Sequence, residues 1–550
     1  MNTPPPASRL ILLGLDGATF ANLKPWAEEG ILPNFRRIMG EGAWGPLAST
    51  IPPTTPPAWT AAITGKNPGK HGIFDFRDSP YRDFERPLIT GASIRGRKIW
   101  NILNEHGLRC GVLNVPITWP PEKINGFMLS GMMTPGAQSE WAEPAVLKEE
   151  INQISGGYFP DLDIAKFDAF LDRDALDFLR AVEDCCERRR KAFLHLLDTK
   201  PWEFFMAVFI LPDRIQHLFW KFIDPAFNLY RSPQAQRLRE PILRCYRAMD
   251  AMLGQVLERL DARTDLMILS DHGFGGTETW FNVNEWLRSL GLLAKNPHGA
   301  LRKKMFYQAM VLNESKLVRA LIPDAIQSAI RRKIRAGRDS IRASVRGEID
   351  WTKTKAYFSG VASQGIYLNA TNEEERLTLQ QKIKDKLLEL RDPHTNECVV
   401  DEVWFREDIY QGPQTKFAPD IFFKARNYGV LGRALFGDNK ALRSSEATPN
   451  GFHRPDGILL AIGERFQRGA GPVQGAQIAD ITPTVLHAMG FPVPDDMDGQ
   501  VLLQLFHGEY KKREIQFVKA PEDEQSNVIQ HTFAEEEQIR QRLKGLGYLE

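Results

Sequence analysis

Three apolar runs in this chain each lead into a carboxylate, two of them with a histidine as well, and that recurrence constrains the fold more than any other feature. Leu10 to Leu15 ends in Asp16-Gly17 with a carboxylate alone, Glu203 to Leu211 leads into Pro212-Asp213-Arg214-Ile215-Gln216-His217, and Asp265 to Leu269 ends in Ser270-Asp271-His272-Gly273. Short continuous apolar runs read as buried parallel strands, and in open α/β sheets ligands bind at the C-terminal strand ends. Helical patterns alternate with them: Trp26 to Met39 with a turn at Leu32-Pro33, Ile99 to Glu105, Asp172 to Leu197 and Leu238 to Leu260. Ala43 to Thr50 and Gly111 to Val115 read as further strands, so the alternation predicts a doubly wound sheet. Pro116 to Phe159 is rich in Pro and Gly and reads as loop bordering the active-site face.

Each cluster, taken alone, has two readings. Asp16 is either a ligand at a strand end or the cap of the next helix. Asp213 and His217 are four residues apart, which puts both on one face of a helical turn, within reach of a common metal ion. They equally fit an N-capping aspartate and an unrelated helix-face histidine. Asp271-His272 presents two adjacent metal-type ligands where Gly273 lets the backbone turn. His453, in the loop Gly451 to Gly457 before the strand Ile458 to Ile462, is a third ligand or a loop-stabilising hydrogen bonder. In Thr50 to Gly72, Pro52-Pro53 and Pro56-Pro57 bracket Thr54-Thr55, so the backbone is extended and stiff until Ala58 to Thr64 turns helical. A threonine there faces a helix N-terminus that attracts an anion such as a phosphoryl oxygen, or it simply caps the helix. Asp480 reads as a structural cap and His487 as a helix-face residue.

Composition narrows the partners. A net charge of +1 over 550 residues argues against a dedicated nucleic-acid binder. Five cysteines without metal-type spacing read as reduced thiols in a cytoplasm. Leu10 to Leu15 is too brief for a signal or a membrane span, and no later apolar run reaches spanning length. Ala300 to Arg346 carries 12 Lys or Arg against 3 Asp or Glu in a helical pattern. It reads as a basic insertion that is a solvated face, a funnel for an anionic substrate, or a contact for an acidic partner or lipid. The strands Gly365 to Leu368 and Asp420 to Phe423, with the helix Glu373 to Leu390 between them, resume the alternation. Gly508 to Gln530 reads as polar and loosely ordered, Glu535 to Gly545 as a helix, and Leu546 to Leu549 as apolar groups that dock on the body. The expected division is 1–294 as the first part of the core, 295–350 as the basic insertion, 351–505 as the second part, and 506–550 as the tail.

Taken together, the Leu-Asp-Gly after the first strand, the Pro-Thr-Thr-Pro-Pro loop, Pro-Asp-x-x-x-His, Ser-Asp-His-Gly and Gly-x-His before the last strand resemble the alkaline phosphatase superfamily. Within it the type I phosphodiesterase and nucleotide pyrophosphatase group is most similar. The resemblance covers Leu10 to about Leu503. It implies a three-layer α/β/α fold with a mostly parallel sheet, and two divalent ions, usually zinc, with manganese possible. Asp213, His217 and His453 would hold one ion, and Asp16, Asp271, His272 and the Thr55 oxygen the other. Thr55 is implied as the nucleophile, being nine residues ahead of Thr64, with Thr54 as the fallback. The implied chemistry is hydrolysis of a small phosphate mono- or diester through a phospho-threonine intermediate. A phosphomutase or phosphotransferase using the same intermediate, and an inactive metal-binding scaffold, are the alternatives. One departure stands out: where nucleotide pyrophosphatases commonly carry a phosphate-binding asparagine after His-Gly-Ile, this chain has Phe76, which donates no hydrogen bond. Asn67, Lys70, Arg95 and Arg97 are the replacement donors expected for substrate.

Overall fold

The computed structural model describes residues 9–78, 86–158, 160–162, 172–295, 349–435, 440–445, 448, 450–521, 529–545 and 547–548. Of the basic insertion expected at 295–350, residues 296–348 lie outside the described residues.

The expected apolar runs form the middle of a nine-stranded sheet. Its order is Ala476–Gln477, Ala43–Ala48, Asp456–Ile462, Thr264–Leu269, Arg9–Leu15, Phe204–Phe209, Cys110–Leu113, Gly126–Leu129, Ala142–Glu143. The five strands from Thr264–Leu269 to Gly126–Leu129 are parallel, whereas Asp456–Ile462 runs against both of its neighbours. Arg9–Leu15 lies between two parallel partners and is apolar and buried from Leu10 onward, as a strand covered on both faces must be.

Successive side chains of a strand point to opposite faces, which separates the layers. Phe205 and Phe209 meet Phe193 of the helix Asp172–Thr199 edge-on, at centroid distances of 5.3 and 5.7 Å. Gly14 and Val208, out of phase with them, face Trp59 of the helix Thr55–Thr64. A Cβ on Gly14 would stand 2.2 Å from the Trp59 ring, so only glycine lets that helix lie this close to the sheet. The result is a three-layer α/β/α arrangement.

The loop-rich reading of 116–159 is corrected. That stretch contains two strands of the sheet edge, Gly126–Leu129 and Ala142–Glu143, and the helix Leu147–Ser155. Each strand is too short to show periodicity among the surrounding prolines and glycines. Residues after 351 also build a separate sheet, in the order Ala356–Phe358, Gly365–Leu368, Ile421–Ala425, Val400–Phe405, with all pairings antiparallel and a core of its own. This smaller sheet buttresses the threonine loop: the Tyr410 hydroxyl donates to the Ile51 carbonyl, and Phe74 packs against Tyr410 and Phe422. The tail is more regular than expected. Gly508–Lys512 is helical, and Phe517–Val518 pairs in parallel with Val493–Pro494. Among the described residues, no helix is long and apolar enough to cross a membrane.

Candidate active site

The C-terminal ends of the three central parallel strands converge on one buried cluster. Asp16 follows Arg9–Leu15 directly. Asp213 and His217 occupy the first turns of the helix Leu211–Ile223, which starts two residues after Phe204–Phe209. Asp271 and His272 follow Thr264–Leu269, and the hairpin pairing Gly273–Gly276 with Gly451–Arg454 brings His453 back opposite Phe274. Two groups of potential ligand atoms result, Asp213 with His217 and His453, and Asp16 with Asp271 and His272, each set lying within 4.8 Å of one another.

The two groups adjoin. The His272 and His453 rings stack with centroids 3.5 Å apart. His453 Nδ1 donates to the Pro53 carbonyl at 2.9 Å, and His272 Nδ1 to the Gly273 carbonyl at 3.1 Å. A carbonyl only accepts, so both neutral rings carry their proton on Nδ1 and turn an Nε2 lone pair into the site. The Thr55 hydroxyl donates to that His272 lone pair at 3.2 Å. Thr55 is the first residue of its helix, with Thr54 as the N-cap. Pro56 and Pro57, next in that first turn, have no N–H, so few backbone donors are available to an anion and the helix offers it mainly the dipole.

Backbone and side chains fix the carboxylates. Trp59 Nε1 donates to Asp16 Oδ2 at 3.1 Å, and Gly17 N to Asp271 Oδ1 at 3.1 Å. The second oxygens, Asp16 Oδ1 and Asp271 Oδ2, are buried without a hydrogen-bond partner. Burial first, and neighbouring carboxylates second, push both groups well above the usual carboxylate range. Burial pushes His453 down to about 4 and holds His272 well below the ordinary imidazole value. Burial works against the Asp213 charge too, but His217 first and then Arg214 hold that carboxyl well below its ordinary value. Orphaned acceptor oxygens beside lone-pair nitrogens form an all-acceptor donor set, which a divalent cation satisfies and which protein donors here do not. The residues present therefore fit the implied ions.

Three contributors escaped the sequence reading. Arg214 is buried and joins Asp213 Oδ2 at 2.5 Å to Asp161 at 2.9 Å. Trp59 orients Asp16. Tyr548, expected only to dock on the body, places its hydroxyl 3.0 Å from both His217 Nε2 and His453 Nε2, and 3.2 Å from Asp213 Oδ1. Phe76 is fully buried, with its ring 4.8 Å from that of Tyr548. Adjacency to Asp213 was the only available signal for Arg214, and none pointed to Tyr548.

The anticipated phosphate donors are engaged as follows. Asn67 caps the helix Pro68–His71 and donates to Asp498 and the Gln411 carbonyl. Lys70 pairs with Asp498 at 2.6 Å, and Arg97 with Glu105 at 2.5 Å. The Arg95 backbone donates to the His71 carbonyl. Asp480 is structural as read, though its carboxylate holds Gln477 N and Gln500 N rather than its own helix. His487 is a buried helix residue facing the Tyr510 carbonyl.

His71, just beyond the threonine helix, gives the site region a defined acid limit. Its Nδ1 accepts from Ile73 N at 3.1 Å, and burial first, then the Lys66 charge, lower it from 6.5 to about 3. Within that window the unfolded chain takes up a proton that the folded one refuses. This contribution is fully present above pH 6.5 and is lost as pH falls toward 3, at up to about 1.4 kcal/mol per pH unit. His71→Gln is expected to make the drop in urea midpoint between pH 7 and pH 5 shallower, and equal slopes in the two proteins would contradict a buried neutral His71.

Residues 10–427 match the family described as type I phosphodiesterase / nucleotide pyrophosphatase. A stretch of 83 residues, 15% of this chain, is 31% identical to the 2,3-bisphosphoglycerate-independent phosphoglycerate mutase of Bacteroides thetaiotaomicron and spans 16% of that protein. Among solved structures, phosphonoacetate hydrolase from Sinorhizobium meliloti 1021 in complex with phosphonoformate is similar at a TM-score of 0.49 and 15% identity, covering 87% of this chain and 95% of that one. Human ectonucleotide pyrophosphatase / phosphodiesterase 5 is similar at 0.46 and 13%, covering 91% and 100%. The family match takes in Thr55 and every ligand residue except His453, which lies beyond its end, and the chain belongs to the type I phosphodiesterase / nucleotide pyrophosphatase family of phosphoester hydrolases.

Proposed function

We propose that this protein cleaves a small phosphate mono- or diester by attack of Thr55 on phosphorus, passing through a phospho-threonine. The observation that carries this reading is the Thr55 hydroxyl bonded to His272 at the junction of the two ligand groups. Asp213, His217 and His453 would hold one divalent ion and Asp16, Asp271 and His272 another, zinc being favoured by the nitrogen and carboxylate donors. When bound, such ions supply Lewis acidity and offset the charge on the attacking, leaving and phosphoryl oxygens.

The chain's own residues do the rest. The Pro-bracketed loop and the small sheet behind it fix where the Thr55 oxygen stands, and His272 Nε2 accepts its proton-side hydrogen bond. Pro53 and Gly273 hold the two imidazoles in the tautomer that presents lone pairs. Trp59 keeps Asp16 aimed while leaving one of its oxygens open. The five cysteines stand as free thiols, which supports a reducing compartment.

Purified protein given bis-aryl and mono-aryl phosphates with zinc or manganese is expected to release the aryl alcohol, and a chelator to abolish release. No turnover of either class in the metal-loaded protein would refute hydrolysis. The similarity to a phosphoglycerate mutase favours one second reading, transfer from Thr55 to an acceptor hydroxyl in place of water. Movement of phosphate between hydroxyls with no free phosphate or monoester released would establish it instead.

A further inference from the structure

Attack by Thr55 requires a phosphoryl group to reach it, yet Thr55 and all six ligand side chains are buried, the most exposed being His217 at 4%. A side chain of the same molecule fills the place beside them. The Tyr548 hydroxyl contacts all three residues of one ligand group, within 3.2 Å of each, and its ring lies between Phe76 and Phe452.

The segment that delivers Tyr548 is built to aim it and is held by its docking contacts. The helix Phe533–Gly545 ends with Tyr548 N donating to the Leu543 carbonyl and Gly547 N to the Lys544 carbonyl, both at 3.0 Å, while Gly547 has φ +81°. This is a Schellman turn, and it needs a left-handed residue that glycine supplies without strain. The reversal sends Tyr548 back into the body. Docking rests on buried Ile539 and Leu543, on Arg542 donating to the Thr134 and Pro135 carbonyls, on Glu536 accepting from Leu88 N at 3.3 Å, on His531 stacked against Trp119 at 4.5 Å, and on the Thr90 hydroxyl donating to the Ile529 carbonyl at 2.9 Å. A helix of 13 residues is marginal alone in water, so its order depends on this docking.

The phenol has one proton to offer Asp213 Oδ1 or His453 Nε2, and His217 Nε2, 3.2 Å from each, can donate to the other, so the plugged group is satisfied without a cation. The three residues the phenol contacts are the same three that form the first cation-type group.

We propose that Tyr548 is an intramolecular plug: docking of the 529–548 segment and binding of a divalent cation by Asp213, His217 and His453 compete for the same atoms, so cation loading releases the segment and opens the route to Thr55. This rests on reading that group as a cation site. Phe76 then has a role that an asparagine would not fill, as the aromatic wall against which the plug packs.

The test uses the full chain, stripped with a chelator and titrated with zinc alone. Amide hydrogen exchange in 533–545 is expected to speed up about tenfold or more on zinc addition. Tyr548→Phe, which keeps the ring, and Tyr548→Ala are both expected to bind zinc about tenfold more tightly than the unaltered chain in chelator competition. Two bound zinc ions with 533–545 still protected would overturn the plug and leave the hydrolase reading intact. Weaker zinc binding by Tyr548→Phe would also overturn it, by making the phenol a ligand. No zinc binding by the full chain or by either variant would overturn the plug and the cation sites together.

Discussion

Thr55→Ala is expected to lower kcat/KM toward a bis-aryl phosphate by about 10⁴-fold or more while the protein keeps its fold and its divalent ions. The hydroxyl bonds His272 at 3.2 Å and also faces the Tyr548 phenol, so its loss costs about 1 kcal/mol of stability. Both ligand groups remain complete without it. The deficit therefore falls on the chemical step. Thr54→Ala is the matched control: the Thr54 side-chain oxygen is buried without a partner, and the residue serves its helix through its carbonyl, which accepts from Ala58 N. It should retain activity within about tenfold. Steady-state kinetics with metal analysis on both variants decides the matter, and an active Thr55→Ala or an inactive Thr54→Ala would move the nucleophile elsewhere.

How much of this was legible in the sequence depended on whether the determinant was local. Asp16, Asp271 and His272 could be placed because each follows a continuous apolar strand, and Asp213 with His217 because helical spacing puts them on one face. His453 could not be placed by its own surroundings. Its position comes from a hairpin with Gly273–Gly276, a pairing across about 180 residues that no local pattern encodes. The short strands Gly126–Leu129 and Ala142–Glu143 were hidden for a related reason, since four and two residues give no period to read. Tyr548 lay beyond reach altogether: nothing in Leu-Gly-Tyr-Leu distinguishes a side chain that covers the body from one that enters its centre. Phe76 was recognised as a departure, but its meaning depended on a partner 472 positions away, 548 less 76.

The largest metal effects are expected from Asp213→Ala and Asp271→Ala, and the two should differ in sign for stability. Each removes one carboxylate from one ligand group, so bound divalent ions should fall from about two to about one per chain, with turnover lost in both. In the metal-free protein the consequences diverge. Asp213 carries its charge against burial because His217 and Arg214 adjoin it, and Arg214 is itself buried with Asp161 as its other partner. Truncation leaves that guanidinium half-paired and should cost about 3 kcal/mol. Asp271 is in the opposite situation. Burial first and the Asp16 charge second oppose its ionisation, and one of its oxygens has no partner. Removing it relieves a buried like-charge pair at the cost of the Gly17 hydrogen bond, so the metal-free Asp271→Ala protein should be as stable as the parent or slightly more so. Urea unfolding in the presence of a chelator reads this contrast directly. A common loss of several kcal/mol would mean that the Asp16 group is held by protein partners and is not an acceptor set awaiting a cation.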